Sequence, residues 1–221
     1  MKIIGHIKTD FKEKFGIPRQ SGLVKESTGR IIFEKEYNVP EAFRGLDDFS
    51  HIWVLWQFSQ AVRENWSPTV RPPLLGGNKR MGVFATRSPF RPNSIGLSVL
   101  KLDKIELSEN EGVVLHVSGA DILDGTPVYD IKPYLPYADS VPDAIGGFTE
   151  TLEERKLEVD FPDTLLEKVR EEKREALISV LQADPRPSYQ DDPERIYGMS
   201  FAEYEIKFTV EKKKLTVITV S

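Results

Sequence analysis

Hydrophobic and polar positions alternate through most of the first 140 residues. The alternation is clearest in IGLSVLKLDKIELS, residues 95–108, where nearly every second side chain is apolar. This period of two is typical of a strand with one face buried. We expect strands at 2–8, 30–37, 51–58, 81–87, 95–108 and 112–121, and one short helix within 39–49. Many strands with few helices between them favour an antiparallel barrel or sandwich over a βαβ fold.

The pattern changes after residue 160. Residues 161–182, FPDTLLEKVREEKREALISVLQ, place apolar side chains at helical spacing, and the two prolines of ADPRP forbid continuation. We expect a helix there, followed by a hairpin of 201–210 and 214–220. The predicted organisation is a mainly β chain with an antiparallel barrel or sandwich domain over 1–140, a linker over 141–160 and a small C-terminal α+β domain over 161–221.

Composition narrows the class of protein. The 221 residues are 39% hydrophobic, which supports a packed core, and contain no cysteine. Disulfides, thiolate metal sites and a cysteine nucleophile are therefore excluded. The stretch MKIIGHIKTD lacks the apolar run of a signal peptide, and no window approaches the roughly 18 apolar residues of a membrane helix. We expect a soluble, cytoplasmic protein.

Charge is distributed unevenly along the chain. Residues 1–140 hold 18 Lys and Arg against 17 Asp and Glu, whereas residues 141–221 hold 12 against 18. The net charge of −5 argues against a non-specific coat on nucleic acid. Between Asn65 and Leu102 no acidic residue interrupts the cations Arg71, Lys79, Arg80, Arg87, Arg91 and Lys101. A local cationic patch of this kind suits a ligand with a few phosphates or a carboxylate.

Several common sites are unsupported. No GxGxxG follows a strand and opens a helix, and no GxxxxGK[ST] occurs, so neither a Rossmann site nor a P-loop is indicated. The histidines His6, His51 and His116 lie far apart in strand-like runs. That placement is more typical of packed or hydrogen-bonded core side chains than of metal ligands, and we expect no metal site.

Polar loops hold the remaining candidates for chemistry. In RSPFRPNSIG, residues 87–96, Pro89 and Pro92 restrict the loop, so its arginines are held in place before a ligand binds. IPRQSGLVK at 17–25 offers donors and a close backbone approach. The segment 121–139 combines a DGTP turn with alternating charges and two tyrosines. Each loop by itself also fits a simple turn-former.

Long motifs in these loops resemble a known family. PRQSGLV, FRGLDDFSHIWVL, RPPLLGGNKRMGVFATRSPFRPNSIGLS, DGTPVYDIKPYLPYADS and DPRPSY are similar to the TsaA/TrmO-like proteins, which are S-adenosylmethionine-dependent tRNA methyltransferases. The resemblance implies a non-Rossmann β-barrel methyltransferase domain that works as a homodimer. It also implies an acceptor, N6-threonylcarbamoyladenosine at position 37 in the anticodon stem-loop of threonine tRNAs.

Site residues follow from the resemblance together with loop chemistry. The cofactor candidates are Arg19, Gln20, Ser21, Gly22, Phe58, Ser59, Arg87, Leu97, Asp124, Gly125, Thr126 and Pro127. Arg87 is the first choice for the methionyl carboxylate, because a guanidinium binds a carboxylate through two hydrogen bonds. Leu97 and the DGTP turn are the expected adenine contacts.

The acceptor side is expected around DGTPVYDIKPY and DPRPSY. The catalytic candidates are Asp130, Lys132, Tyr134, Asp184 and Tyr189, and the tRNA-binding candidates are Lys79, Arg80, Arg91, Asn93 and Arg186. We expect Arg87 to face the cofactor and Arg91 to face tRNA phosphates. Two other functions stay open from sequence: a non-catalytic S-adenosylmethionine- or RNA-binding module, and a methyltransferase for a small molecule.

Overall fold

The structure, a computed structural model, describes residues 1–62, 65–76, 79–150, 156–186 and 192–221. Its strands are β1 (Gly5–Thr9), β2 (Thr28–Phe33), β3 (His51–Gln57), β4 (Thr69–Val70), β5 (Met81–Gly82), β6 (Ile95–Ser108), β7 (Gly112–Ser118), β8 (Thr126–Pro133), β9 (Glu158–Asp160), β10 (Tyr197–Phe201), β11 (Tyr204–Glu211) and β12 (Lys214–Val220). The α-helices are α1 (Pro136–Asp139), α2 (Asp163–Leu166) and α3 (Glu171–Gln182).

Six strands form a closed antiparallel barrel in the order β1-β2-β7-β6-β3-β8, and β8 pairs with β1 to close it. The predicted barrel is therefore confirmed. Alternate residues point inward, so that Ile52, Val54 and Leu100 are fully buried inside it. The outward positions between them, such as Leu55 paired with Leu97, remain available for other contacts.

A smaller α+β unit follows the barrel, as predicted. Its four-stranded sheet has the order β10-β11-β12-β9, with β9 parallel to β12. Helix α3 contributes its apolar face to the core beside this sheet, which buries Leu177, Leu181 and Phe208 completely. Strand β9 lies within the stretch expected to be a linker, and the domain limits given above stay a prediction.

The segment after β1 joins the two units. Phe11 and Val24 are buried in the core of the C-terminal unit, although they come from the first 25 residues. Gly16 lies against Met199, and the Lys173 ammonium of α3 pairs with the Asp10 carboxylate at 2.7 Å. The C-terminal unit therefore positions the loop that contains residues 19–22.

The predicted strand at 81–87 is wrong beyond its first two residues. Only β5 forms, and a 3-10 turn at Val83–Ala85 follows it. The Val83 carbonyl accepts hydrogen bonds from the Thr86 hydroxyl at 2.9 Å and the Arg91 guanidinium at 3.1 Å. These local bonds hold the carbonyl in a turn, so it is not available to a neighbouring strand.

The predicted single helix over 161–182 is also wrong, because the chain divides it into α2 and α3. Arg170 has an extended backbone, φ −56° and ψ 138°, and its N–H donates to the Tyr204 hydroxyl at 3.0 Å. The expected helix within 39–49 is two 3-10 turns, Pro40–Phe43 and Leu46–Asp48. None of the helices in the described ranges is long and apolar enough to cross a membrane.

Candidate functional site

The loop Arg19–Gly22 lies along the edge of β6. Strand β7 ends at Ser118, so the first half of β6 would lack a neighbour on that side. The loop supplies one, since the Val99 N–H donates to the Ser21 hydroxyl at 3.2 Å. Gly22 donates its N–H to the Gly119 carbonyl at 2.9 Å with φ +76°, a conformation that favours glycine.

Arg87 connects Arg19–Gly22 to the cationic loop, by which we mean residues 79–94 with Lys79, Arg80, Arg87 and Arg91. Its guanidinium donates a hydrogen bond to the Gln20 side-chain oxygen. On the other side, the Arg19 guanidinium donates to the Arg186 carbonyl at 3.1 Å. The structure thus brings Arg19, Gln20, Ser21, Gly22 and Arg87 together, as a shared ligand site requires.

Asp121 is not among the site residues predicted from sequence, and it lies behind this group. The Ser98 hydroxyl donates to its carboxylate at 2.6 Å, and the Ser21 backbone N–H donates to it as well. The Trp56 indole N–H donates to the same Ser98 hydroxyl at 3.0 Å. An acidic residue placed directly before the apolar Ile122, at the exit of a buried strand, was the available sequence signal.

Burial raises the pKa of Asp121 from 3.8 to about 6. The hydrogen bonds from Ser98 and Ser21 and the charge of Arg87 act in the opposite direction, because they favour the carboxylate. Desolvation outweighs them. This carboxyl group therefore titrates close to neutral pH beside the Arg87 loop.

Phe58 and Ser59 directly follow the last residue of β3, close in sequence to Trp56. The Phe58 ring packs on Trp56 with centroids 4.3 Å apart, and its N–H donates to the Ser94 carbonyl at 2.9 Å. Ser59 is exposed at the start of a 3-10 turn. Leu97 is 54% exposed on the outside of the barrel, one residue before Ser98.

The DGTP turn has different neighbours. The Asp124 carboxylate accepts from the Thr9 N–H at 3.0 Å and the Lys12 ammonium at 2.8 Å, and Gly125, with φ +73°, donates to the Ile7 carbonyl. Thr126 and Pro127 pair with β1. No hydrogen bond within the described parts of the chain joins this turn to Arg87 or to Arg19–Gly22.

Asp124 also lines a cleft of about 630 Å³ between the barrel and α3, which contains Lys8, Lys12, Lys104 and Lys173. Partial burial alone would raise the pKa of Asp124. The Lys12 ammonium and the Thr9 N–H outweigh that effect and hold the pKa below its usual value. The Asp124 side chain is thus an anion at neutral pH.

Two expected acceptor residues of β8, Asp130 and Lys132, and Tyr134 directly after the strand lie on the outer face of the barrel. The Asp130 carboxylate pairs with the Lys132 ammonium at 3.1 Å, and the Tyr134 ring lies 5.8 Å from Trp53. Through β3, Leu55 is the register partner of both Asp130 and Leu97. Asp130, Lys132 and Leu97 therefore lie on one side of the sheet.

The residues of DPRPSY have a different environment. Asp184 and Arg186 are 3% and 6% exposed and form a bidentate ion pair, with N–O distances of 2.9 and 3.1 Å. Asp184 also has φ +52°. In this structure the pair holds the turn after α3, and the roles expected for both residues at the acceptor stay predictions. Tyr189 lies outside the described residues.

The cationic loop presents its charges unequally. Lys79 and Arg80 are exposed, and Arg80 makes one long hydrogen bond to the Thr69 hydroxyl at 3.3 Å. Arg91 donates to the Thr86 carbonyl at 2.7 Å and to Val83, and lies 5.6 Å from the Phe84 ring. Asn93 is exposed, and its carbonyl accepts from the Ile95 N–H at 2.8 Å.

The histidines make local hydrogen bonds and are only partly buried. His6 contacts Glu34 at 3.1 Å, His51 contacts the Ser50 hydroxyl at 2.9 Å, and His116 contacts Glu106 at 2.8 Å. Hydrogen bonds are present for His51 and His116, as expected, but all three side chains are only partly buried, so the expectation of core histidines is wrong.

The fold is a closed β-barrel that brings polar loops and cations together at one edge, and it lies outside the nucleotide-binding α/β folds. Comparison with protein-family models shows the family to which this barrel protein belongs. Residues 6–140 match the tRNA-methyltransferase O N-terminal domain, and residues 154–221 match the TrmO C-terminal domain. The chain belongs to the tRNA-methyltransferase O family, and the predicted resemblance and methyltransferase class are confirmed.

Relatives extend over nearly the whole chain. The Escherichia coli protein named tRNA (adenine(37)-N6)-methyltransferase is 42% identical over 94% of this chain and 91% of its own length. A Pseudomonas aeruginosa relative named "Putative S-adenosylmethionine-dependent methyltransferase RcsF" is 40% identical over 92% and 89%. The crystal structure of TrmO from Pseudomonas aeruginosa matches with a TM-score of 0.79 and 33% identity, covering 99% of this chain and 97% of that one.

Proposed function

We propose that this enzyme transfers a methyl group from S-adenosylmethionine to the N6 atom of N6-threonylcarbamoyladenosine 37 of threonine tRNA in the cytoplasm. The observation that carries the proposal is the contact of the Arg87 guanidinium with Gln20, next to Ser21 and Asp121. This contact joins the cationic loop to Arg19–Gly22, close to the ring pair of Trp56 and Phe58. The family's relatives named for adenine-37 methylation support the acceptor position.

The residues around Arg87 fit the chemistry of S-adenosylmethionine. Arg87 matches the methionyl carboxylate, Ser21 and the loop backbone offer hydrogen bonds, and the partly buried Phe58 ring, which packs on Trp56, offers apolar surface. The cofactor supplies a methyl group activated by a sulfonium. The residues bind and orient, because alignment for in-line attack supplies much of the rate when the donor is already activated.

Acceptor binding is assigned to the outer face and the cationic loop. Tyr134 beside Trp53 offers a ring surface for a base, and Asp130 offers a carboxylate oxygen to the N6 hydrogen. The exposed cations Lys79 and Arg80 suit phosphates of an anticodon stem-loop. In this arrangement Asp130 receives the proton that N6 loses when it gains the methyl group.

A homodimer completes the proposal. The exposed Leu97 and its neighbour Leu55 form an apolar strip on the outer face. The DGTP turn contacts β1 in its own chain and makes no described hydrogen bond to the Arg87 loop. A second copy seated on the strip would cover it and supply further cofactor contacts to the Arg87 loop.

Transfer of labelled methyl from S-adenosylmethionine distinguishes the three candidate functions. We expect label in threonine tRNA that carries the threonylcarbamoyl group. Cofactor binding without transfer to any RNA would indicate the binding module, and transfer to small molecules alone would indicate the third function. Arg87→Ala should lose transfer, whereas Lys207→Ala, on the exposed face of β11, should not.

A further inference from the structure

Asp121 is the charged residue near Arg87 that neither the loop motifs nor the proposed function assigns. It follows β7 and precedes the DGTP turn, so its backbone is fixed from both sides. Its carboxylate accepts from the Ser98 hydroxyl at 2.6 Å and from the Ser21 N–H. Ser98 itself is only 1% exposed and is held from the other side by the Trp56 indole at 3.0 Å.

These hydrogen bonds form a chain from the barrel interior to Arg19–Gly22, which we call the cofactor loop. Trp56 is fixed on Gly96, where a Cβ atom would approach the indole to 2.3 Å. The Trp56 indole therefore holds the Ser98 hydroxyl, and that hydroxyl holds the Asp121 carboxylate. The Asp121 carboxylate in turn holds the backbone of Ser21. The Arg87 guanidinium acts on Asp121 as a positive charge from a facing element, and Ser98 and Ser21 act as neutral donors.

We propose that Asp121 is a positioning residue for methyl transfer: its carboxylate, braced by Ser98, holds the Ser21 loop and the Arg87 guanidinium in the arrangement that receives the carboxylate end of the cofactor. The inference rests on the proposed function for the identity of that ligand. The charge of Asp121 attracts Arg87 and the hydrogen bond fixes Ser21, so one side chain sets both cofactor contacts. Cofactor affinity then depends on the ionisation of Asp121 and weakens as pH falls through the range in which it is protonated.

The first test uses the tryptophan side chains. The Trp56 indole N–H donates to the hydroxyl that contacts Asp121, so its NMR resonance reports the ionisation of that carboxyl group. We expect a single midpoint near the pKa of about 6, and no such step in Asp121→Asn. Trp53, whose indole donates to Asp139, is the internal control, because that carboxyl has a lowered pKa and titrates in more acid solution.

The second test measures cofactor binding by calorimetry. Asp121→Asn keeps the shape of the side chain and removes its charge, and we expect S-adenosylmethionine to bind roughly tenfold or more weakly at neutral pH. Ser98→Ala should weaken binding in the same direction. Asp160→Asn, which alters an exposed pair with Lys214 in β9, should bind as the wild type does.

Kinetics separate positioning from a general loss of structure. Asp121→Asn should raise the KM for S-adenosylmethionine while the KM for tRNA and the kcat at saturating cofactor change little. Equal cofactor affinity in Asp121→Asn and wild type, or a Trp56 resonance that does not titrate, would overturn the inference. Absence of cofactor binding in the wild type would instead contradict the proposed function, and the Trp56 titration would still decide whether the chain of hydrogen bonds responds to Asp121.

Discussion

Arg87 and Arg91 lie four residues apart in one loop, and their guanidinium groups have different neighbours. Arg87 reaches out to Gln20 of the cofactor loop, whereas Arg91 turns back onto the carbonyls of Thr86 and Val83. A free carbonyl needs a donor when it is removed from water, so Arg91 stabilises its own loop. Lys79 and Arg80 are left as the more exposed cations for phosphate contacts.

Salt dependence of tRNA binding can separate these roles. Each phosphate contact releases counterions, so Arg80→Ala should weaken tRNA binding and reduce the slope of log affinity against log salt by roughly one. Arg91→Ala should lower the stability by about 1–3 kcal/mol, through two lost hydrogen bonds to backbone carbonyls, and weaken tRNA binding with little change of slope. A reduced slope for Arg91→Ala with unchanged stability would show instead that Arg91 contacts phosphate, as the sequence suggests.

The raised pKa of Asp121 predicts how the free energy of unfolding depends on pH. Its pKa is raised in the folded state to about 6, so the folded protein holds this proton more tightly than the unfolded chain does. The contribution of this group to stability therefore falls as pH rises from about 4 to above 6, by at most roughly 3 kcal/mol and less where solvent screens the carboxylate.

Asp121→Asn removes this dependence. In urea unfolding, the stability of the variant relative to the wild type should rise between about pH 4 and about pH 7 and stay constant above that, because the buried charge is absent. The comparison of the two proteins at each pH cancels the titration of the other carboxyl groups. A stability difference that is independent of pH would contradict the raised pKa.

Residue types alone predict part of this site. The prolines and unpaired arginines of RSPFRPNSIG, with the family motifs, indicate Arg87 and the loop at Arg19–Gly22, and the structure brings these together. Asp121 looks like an ordinary turn residue in sequence, because its meaning depends on Ser98 and Ser21, which are 23 and 100 positions away. The partner of Arg91 is likewise invisible in sequence, since a backbone carbonyl leaves no residue signature.

The limits of the helices and strands also depend on contacts that the sequence does not show. Alternation predicts β6, β7 and β3 well, because one face of each strand is buried in the barrel. It fails at 81–87, where side-chain bonds to the Val83 carbonyl favour a turn. Helical spacing over 161–182 is continuous in sequence, and the break at Arg170 follows from the hydroxyl of Tyr204 in another element.

Gly96 tests how tightly the start of β6 is packed. A Cβ atom there would meet the Trp56 ring at 2.3–2.5 Å, so Gly96→Ala should displace the indole that anchors Ser98. We expect a loss of roughly 1–3 kcal/mol in urea unfolding, the usual range for overpacking. Gly82→Ala is the matched control, because a Cβ atom at Gly82 would meet no atom of the described residues within 4 Å, and the φ of Gly82 is −58°. Equal stabilities of the two variants would contradict the packing.

The whole molecule combines two units through the segment that precedes the cofactor loop. Phe11 and Val24 flank Arg19–Gly22 in sequence and are buried in the C-terminal core. Composition places the boundary near residue 140 and cannot show that the first 25 residues contribute to the second core. The barrel itself was predictable because its strands are amphipathic, whereas the joining of the units depends on packing between distant segments.

Assembly is the prediction that belongs to this scale. If a second copy covers the apolar strip at Leu55 and Leu97, the wild type should be a dimer by light scattering at micromolar concentration. Leu97→Glu should favour the monomer, because it introduces a charge into that interface. Leu107→Glu, on the same strand and 72% exposed, should remain a dimer. A monomeric and fully active wild type would contradict the proposed assembly.

The central claim is the identity of the methylated atom, and mass spectrometry of nucleosides from digested tRNA tests it most directly. Threonine tRNA with and without the threonylcarbamoyl group is incubated with the enzyme and S-adenosylmethionine, with Arg87→Ala as the inactive control. The account predicts a single new nucleoside, the N6-methylated form of N6-threonylcarbamoyladenosine, and only from the tRNA that carries the group. A methyl group on any other nucleoside, or equal methylation of both tRNAs, would contradict it.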